Sequence, residues 1–270
     1  RTLLRYAILG TVVATAALVV LFGCTPLTRS DAVAQEAPHA VTTGDADWPQ
    51  LGRDAQHTNY SPQQVDPPYC YAWKWYGAPL ASRAQPVIAA GRLFVGTLDG
   101  WVLARDASTG APLWQAQTSG PIRHSLAATA DTVITSNFAG DTIAYAASNG
   151  ARRWAINAGS SATAPLLDEA RNRVYVAATD GTLTALALDS GARLWSVDLG
   201  APVLATPALS VDGATLYAGV EAVDAVAIAA ADGAVRWRTT LHGQSLADRY
   251  PVVAGDRVYF RSQPLDFFHH

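Results

Sequence analysis

From Trp48 onward the chain alternates short apolar runs with turns built on glycine. No stretch of it holds the spacing of an amphipathic helix over a useful length. The first unit shows the pattern. Pro86–Ala89, Arg92–Gly96, Trp101–Arg105 and Pro112–Ala116 are four runs rich in β-branched, aliphatic or aromatic residues, separated by Ala90-Gly91, Leu98-Asp99-Gly100 and Ser108-Thr109-Gly110. Such turns between such runs predict antiparallel hairpins. The unit then repeats. Gly-Ala-x-x-Trp occurs at Gly110–Trp114, Gly150–Trp154, Gly191–Trp195 and Gly233–Trp237, with tryptophans 40, 41 and 42 residues apart. Trp75, 39 residues before Trp114, extends the series, and an apolar residue stands 16 positions before each glycine: Phe94, Ile134, Tyr175 and Tyr217. Four short strands at this period predict an all-β fold, a β-propeller of four-stranded blades. Four blades are complete, and a fifth begins at Pro251–Phe260 without its closing Gly-x-x-x-Trp.

Trp-Asp endings are absent, which excludes WD repeats. Ala104-x-Asp106-x-x-Thr109-Gly110-x-x-x-Trp114 instead resembles the tryptophan-docking motif of the quinoprotein-type, pyrroloquinoline quinone (PQQ)-like repeat family, which includes propeller lipoproteins of outer-membrane protein assembly. The later units keep the Ala, Gly and Trp; Ala146, Ala187 and Ala229 replace the Asp, and Asn149, Ser190 and Asp232 replace the Thr. Asp47–Gln50 and His57–Ser61 also resemble the opening of such proteins, so the resemblance covers about residues 47–262. It implies a ring of about seven or eight blades, and hence that this chain is an N-terminal fragment. It also implies that Trp75, Trp114, Trp154, Trp195 and Trp237 are structural, each docking on the neighbouring blade's Gly-Ala backbone at Gly110, Gly150, Gly191 or Gly233. Ala72–Tyr76 suits an N-terminal strand that completes the last blade.

Ahead of the repeats, Arg1 and Arg5 stand at the start of an uncharged apolar run, Tyr6–Phe22, of 17 residues. A basic start and a short apolar core is the pattern of a secretory signal. Its end, Leu21-Phe22-Gly23-Cys24, resembles the lipobox of bacterial lipoproteins, which implies lipid attachment at Cys24. The division is then a signal over 1–23, the lipidated cysteine and a flexible Ala/Thr/Pro/Asp-rich tether over 24–46, and the propeller over 47–270. An uncleaved transmembrane anchor is the other reading. Either places the repeats outside the cytoplasm, anchored to a membrane.

Charge narrows the function. The formal net charge is −3 and only 15% of residues are charged, without a basic cluster, so nucleic acid is not the expected partner. A PQQ dehydrogenase of this family would carry adjacent cysteines, calcium-binding Glu and Asn, and a catalytic Asp. Here the two cysteines are Cys24 and Cys70, and glutamate occurs only at 36, 169 and 221. No catalytic, cofactor-binding or metal residue is assigned. Histidines stand at 39, 57, 124, 242, 269 and 270; His124 and His242, near blade starts, would face a central channel or sit in loops. Asp99, Asp141 and Asp180 recur at turns, where carboxylates serve backbone geometry or line a rim. Arg83, Arg123 and Arg249 precede the first strands of three units. The expectation is a non-enzymatic scaffold that binds protein partners through blade loops or rim. The alternative is the N-terminal part of a PQQ-dependent quinoprotein oxidoreductase.

Overall fold

The computed structural model describes residues 47–64, 67 and 71–263. The segments expected to be a signal and a tether, with Cys24, Cys70, His39 and the His269-His270 pair, lie outside the described residues.

Unit one contains β1 (Val87–Ala89), β2 (Arg92–Gly96), β3 (Trp101–Asp106) and β4 (Pro112–Gln117). Unit two contains β5 (Ala127–Ala128), β6 (Thr132–Ser136), β7 (Asp141–Ala146) and β8 (Arg152–Asn157). Unit three contains β9 (Leu166–Asp168), β10 (Arg173–Ala177), β11 (Thr182–Ala187) and β12 (Arg193–Asp198). Unit four contains β13 (Ala208–Leu209), β14 (Thr215–Val220), β15 (Asp224–Ala229) and β16 (Val235–Thr240). A two-stranded fifth unit follows, β17 (Val252–Ala254) with β18 (Arg257–Tyr259). Each sheet is an antiparallel meander in chain order. The fold is therefore the propeller that the repeat predicts.

Burial falls from the first strand of a unit to the last. β9 and β13 are wholly buried, whereas β16 is exposed throughout. The first strands gather at the axis, where β1 contacts β5, β5 contacts β9 and β13 contacts β17. The apolar core lies between sheets. Val87, Phe94 and Val102 of unit one pack with Val133, Ile143 and Tyr145 of unit two, and Tyr175 and Leu183 of unit three pack with Leu216 and Ile228 of unit four. A blade alone would leave this surface in water, so the units are stable only as neighbours.

One irregularity repeats. Ala104, Ala144, Ala185 and Ala227 pair with Trp114, Trp154, Trp195 and Trp237, and the register shifts by a bulge immediately after each alanine. A bulge turns the strand locally and re-aims a side chain. A small residue opposite the indole suits that turn.

Residues 47–59 form no named strand, yet they close the centre. Trp48 exchanges two backbone hydrogen bonds with Ile88 of β1, each 2.9 Å. Ala128 N donates to Pro49 O at 2.7 Å. The Gln50 amide accepts from Leu167 N at 2.8 Å and donates to Leu167 O at 3.2 Å. Leu209 N donates to Ala55 O at 2.7 Å, and Val253 N to Gln56 O at 2.9 Å. This hub segment thus supplies partners to the inner edge of each of the five described units in chain order, which removes the free edges that their first strands would otherwise present.

Residues 71–80 carry no strand and no described sheet edge pairs with them; the last blade that Ala72–Tyr76 is expected to complete lies outside the described residues.

Candidate functional site

The blade junctions are built the same way each time. Trp114 Nε1 donates to Ala147 O at 2.8 Å, Trp154 Nε1 to Leu188 O at 2.9 Å, and Trp195 Nε1 to Ala230 O at 3.1 Å, always across to the next unit. The indole face lies on that unit's glycine. A Cβ on Gly150 would come within 2.6 Å of Trp114, and on Gly191 or Gly233 within 2.7 Å of Trp154 or Trp195. These glycines also have φ between +71° and +80°, so both backbone and space exclude a side chain.

The junction onto unit one corrects the sequence reading. Trp73, not Trp75, docks there: its Nε1 donates to Ala107 O at 2.9 Å, and a Cβ on Gly110 would meet it at 2.5 Å. Trp75 instead stacks under the Arg105 guanidinium, 4.3 Å from the ring centre. The spacing held the signal, because Trp73 to Trp114 is 41 residues, inside the range of the other intervals. Trp237 is 41% exposed; its ring lies 6.1 Å from Tyr217, and no glycine receives it among the described residues.

Asp99, Asp106 and Asp180 serve their own turns, and Asp141 reaches back to the loop leaving unit one. Asp106 Oδ1 accepts from Ser108 N, Ser108 Oγ, Thr109 N and Thr109 Oγ1 at 3.0, 2.6, 2.8 and 2.9 Å. Those donors lower its pKa to about 2. Asp99 accepts from the Thr97 hydroxyl, Asp141 from the Ser119 hydroxyl, and Asp180 from Thr182 N at 2.9 Å.

At the axial mouth, the loops entering the first strands enclose a cavity of about 390 Å³. Arg83 and Gln85 come from unit one, His124 from unit two, Thr206 from unit four and Arg249 from unit five, with Leu51 of the hub segment beneath. An Arg83–Asp248 ion pair bridges the first and fifth units. His124 is half-buried, and its pKa is lowered to about 4, first by burial and then by the positive charges of Arg83 and Arg123. Arg123 stacks on Phe138, 4.3 Å from the ring centre. Of the residues singled out by sequence, Arg83, Arg249 and His124 therefore meet here. His242 does not line the cavity; it is exposed, and its carbonyl accepts from Ser262 Oγ at 2.7 Å.

His57 is the residue whose weight the sequence does not reveal. It is fully buried in the hub segment, with Nδ1 3.0 Å from Pro251 O and its ring edge-on to Tyr250 at 4.8 Å. Burial lowers its pKa to about 4. Gly52 makes room for it: a Cβ there would lie 2.9 Å from His57 Cα.

The described residues of the axial mouth do not by themselves supply the ligands that a quinone cofactor with calcium would need. The lining supplies one carboxylate, Asp248, already engaged by Arg83, and no cysteine. Among the described residues no three His, Cys, Asp or Glu side chains converge as metal ligands.

The family profile described as outer membrane protein assembly factor BamB matches residues 39–186 and 179–265. No curated protein matches the chain in sequence. Among solved structures, BamB from Moraxella catarrhalis is 22% identical with a TM-score of 0.50, covering 62% of this chain and 53% of its own. Quinohemoprotein alcohol dehydrogenase from Comamonas testosteroni is 16% identical with a TM-score of 0.64, covering 77% and 43%. Quinohemoprotein alcohol dehydrogenase ADHIIG from Pseudomonas putida HK5 is 15% identical with a TM-score of 0.60, covering 73% and 40%. These likenesses are of fold, and the chain spans about half or less of the length of each relative.

Proposed function

Because the chain belongs to the family of the outer membrane protein assembly factor BamB, we propose that it is a non-enzymatic, membrane-anchored extracytoplasmic lipoprotein that holds other proteins through its blade loops and rim. The observation that carries this reading is a pair of exposed apolar side chains at one position of neighbouring blades. Leu98 and Phe138 occupy the turns before β3 and β7, at 41% and 40% exposure. Both backbones are fixed alike, Leu98 N on Pro79 O at 2.8 Å and Phe138 N on Pro121 O at 3.0 Å. Large apolar residues held rigidly in water on adjacent loops suit a protein contact. The tryptophans and turn aspartates, by contrast, are occupied in holding the blades.

Photocrosslinking in the source cells tests the reading. A photoreactive residue at position 98 and one at 138 are expected to give the same discrete adduct with another protein, lost in a folded Leu98→Asp/Phe138→Asp double variant. Cys24→Ala is expected to abolish labelling by a palmitate analogue and release the chain from membranes. Absence of any adduct, together with quinone-dependent alcohol oxidation by the chain, would overturn the proposal.

A further inference from the structure

Cavities open at both ends of the first strands, and their charges differ. The one at the far ends of β9 and β13, about 300 Å³, is lined by Asp54, Asp168 and Glu169 against Arg53 and Arg171. It has no surplus of positive charge. The axial mouth has Arg83 and Arg249 against Asp248 alone, and Arg83 uses that carboxylate. Arg249 is left over: among the described residues no hydrogen bond or ion pair engages its guanidinium, and its Nε, like that of Arg53 in the other cavity, is buried without a partner. A buried guanidinium N–H without an acceptor is costly, and a carboxylate is the group its fork matches best.

We propose that the axial mouth receives a carboxylate of an acidic peptide segment from a protein partner, paired with Arg249. A peptide is favoured over a small acid because positive charge continues outside the cavity. Arg83 keeps 61% of its side chain exposed, and Arg123 lies beyond the mouth on Phe138. Successive acidic residues would meet these in turn. Arg123 also joins the mouth to the Leu98–Phe138 contact, so the inference rests on the scaffold reading and extends it. His124, at the wall, is the built-in reporter. Facing it are Arg83, Arg123 and Arg249, with Asp248 and Tyr250 across the cavity. A bound carboxylate offsets the first two charges and favours the protonated ring.

The experiment is histidine-ring NMR on the full chain in detergent micelles. The probes are an end-blocked triglutamate peptide, an end-blocked triglutamine peptide and glutarate. Triglutamate is expected to shift the His124 signals and raise their titration midpoint, triglutamine to do nothing, and glutarate to bind about tenfold more weakly or worse. Arg249→Gln is expected to weaken triglutamate by about tenfold or more, and Arg249→Lys by less. Unchanged His57 signals would show that each variant is folded. The proposal fails if triglutamate leaves His124 unmoved or Arg249→Gln binds as tightly as the parent chain. It also fails if glutarate binds as tightly as the peptide, because the mouth would then be a small-acid site. The adducts at positions 98 and 138 are read separately. Their persistence in a chain whose mouth binds no peptide would sink this inference and leave the scaffold reading standing.

Discussion

Each docking indole is held at two points, an N–H on a carbonyl of the next unit and a face on a glycine that no other residue can replace. Trp154 is the most buried of them, at 9% exposure. Trp154→Ala is expected to cost about 3–5 kcal/mol in chemical denaturation, the range for removing a large buried aromatic. Trp75→Ala and Trp237→Ala, at exposed or half-buried sites, are expected to cost about 1 kcal/mol or less. Gly191→Ala tests the other point. With φ +71° and Trp154 at 2.7 Å, it is expected to cost about 1–3 kcal/mol. His57 supplies a pH prediction. The folded chain keeps its imidazole neutral, with a pKa of about 4 against an ordinary 6.5, while the unfolded chain takes up a proton. Stability is therefore full above about pH 6.5 and declines as pH falls toward 4, by about 3 kcal/mol. Denaturation midpoints across that window are expected to flatten in His57→Gln. His124, also lowered to about 4, accounts for part of the remaining slope.

Among elements, the blades and the hub segment differ in how far the sequence discloses them. The blades are local: every strand pairs with its chain neighbour, and hairpin turns, apolar alternation and the Gly-Ala-x-x-Trp ending all act within one repeat. That is why strand limits such as Arg92–Gly96 coincide with the sequence reading. The docking partner of Gly110 depended on choosing between two tryptophans two residues apart. Contact with Gly110 and with Ala107, 34 residues away, separates them. The hub segment has no periodicity because its hydrogen bonds go to five different strands, so its pattern cannot appear in any window of sequence. The axial mouth is hidden for the same reason, since its walls come from loops of four units. Gln50 shows what the hub contributes. It is 5% exposed and satisfies both the N–H and the carbonyl of Leu167. Gln50→Ala is expected to cost about 1–3 kcal/mol, mainly through the buried polar groups it strands, and to raise amide exchange at Leu167.

For the whole molecule, the Arg83–Asp248 pair links the first and fifth units, yet its guanidinium is largely in water. Asp248→Asn is expected to change stability by about 1 kcal/mol or less, with thermal melts that converge at high salt. The hub segment does the larger share of joining, and it does so across a long stretch of chain: His57 meets Pro251, 194 residues away. The order of assembly follows. Hairpins and neighbouring blades form from contacts close in sequence, which is fast, whereas the hub's contacts with unit five wait until the residues around Val253 exist and have reached it. The first stretch of the domain to be synthesised is thus among the last to find all its partners. A chain expected to cross a membrane before it folds would lack these contacts until the residues around Val253 had passed through.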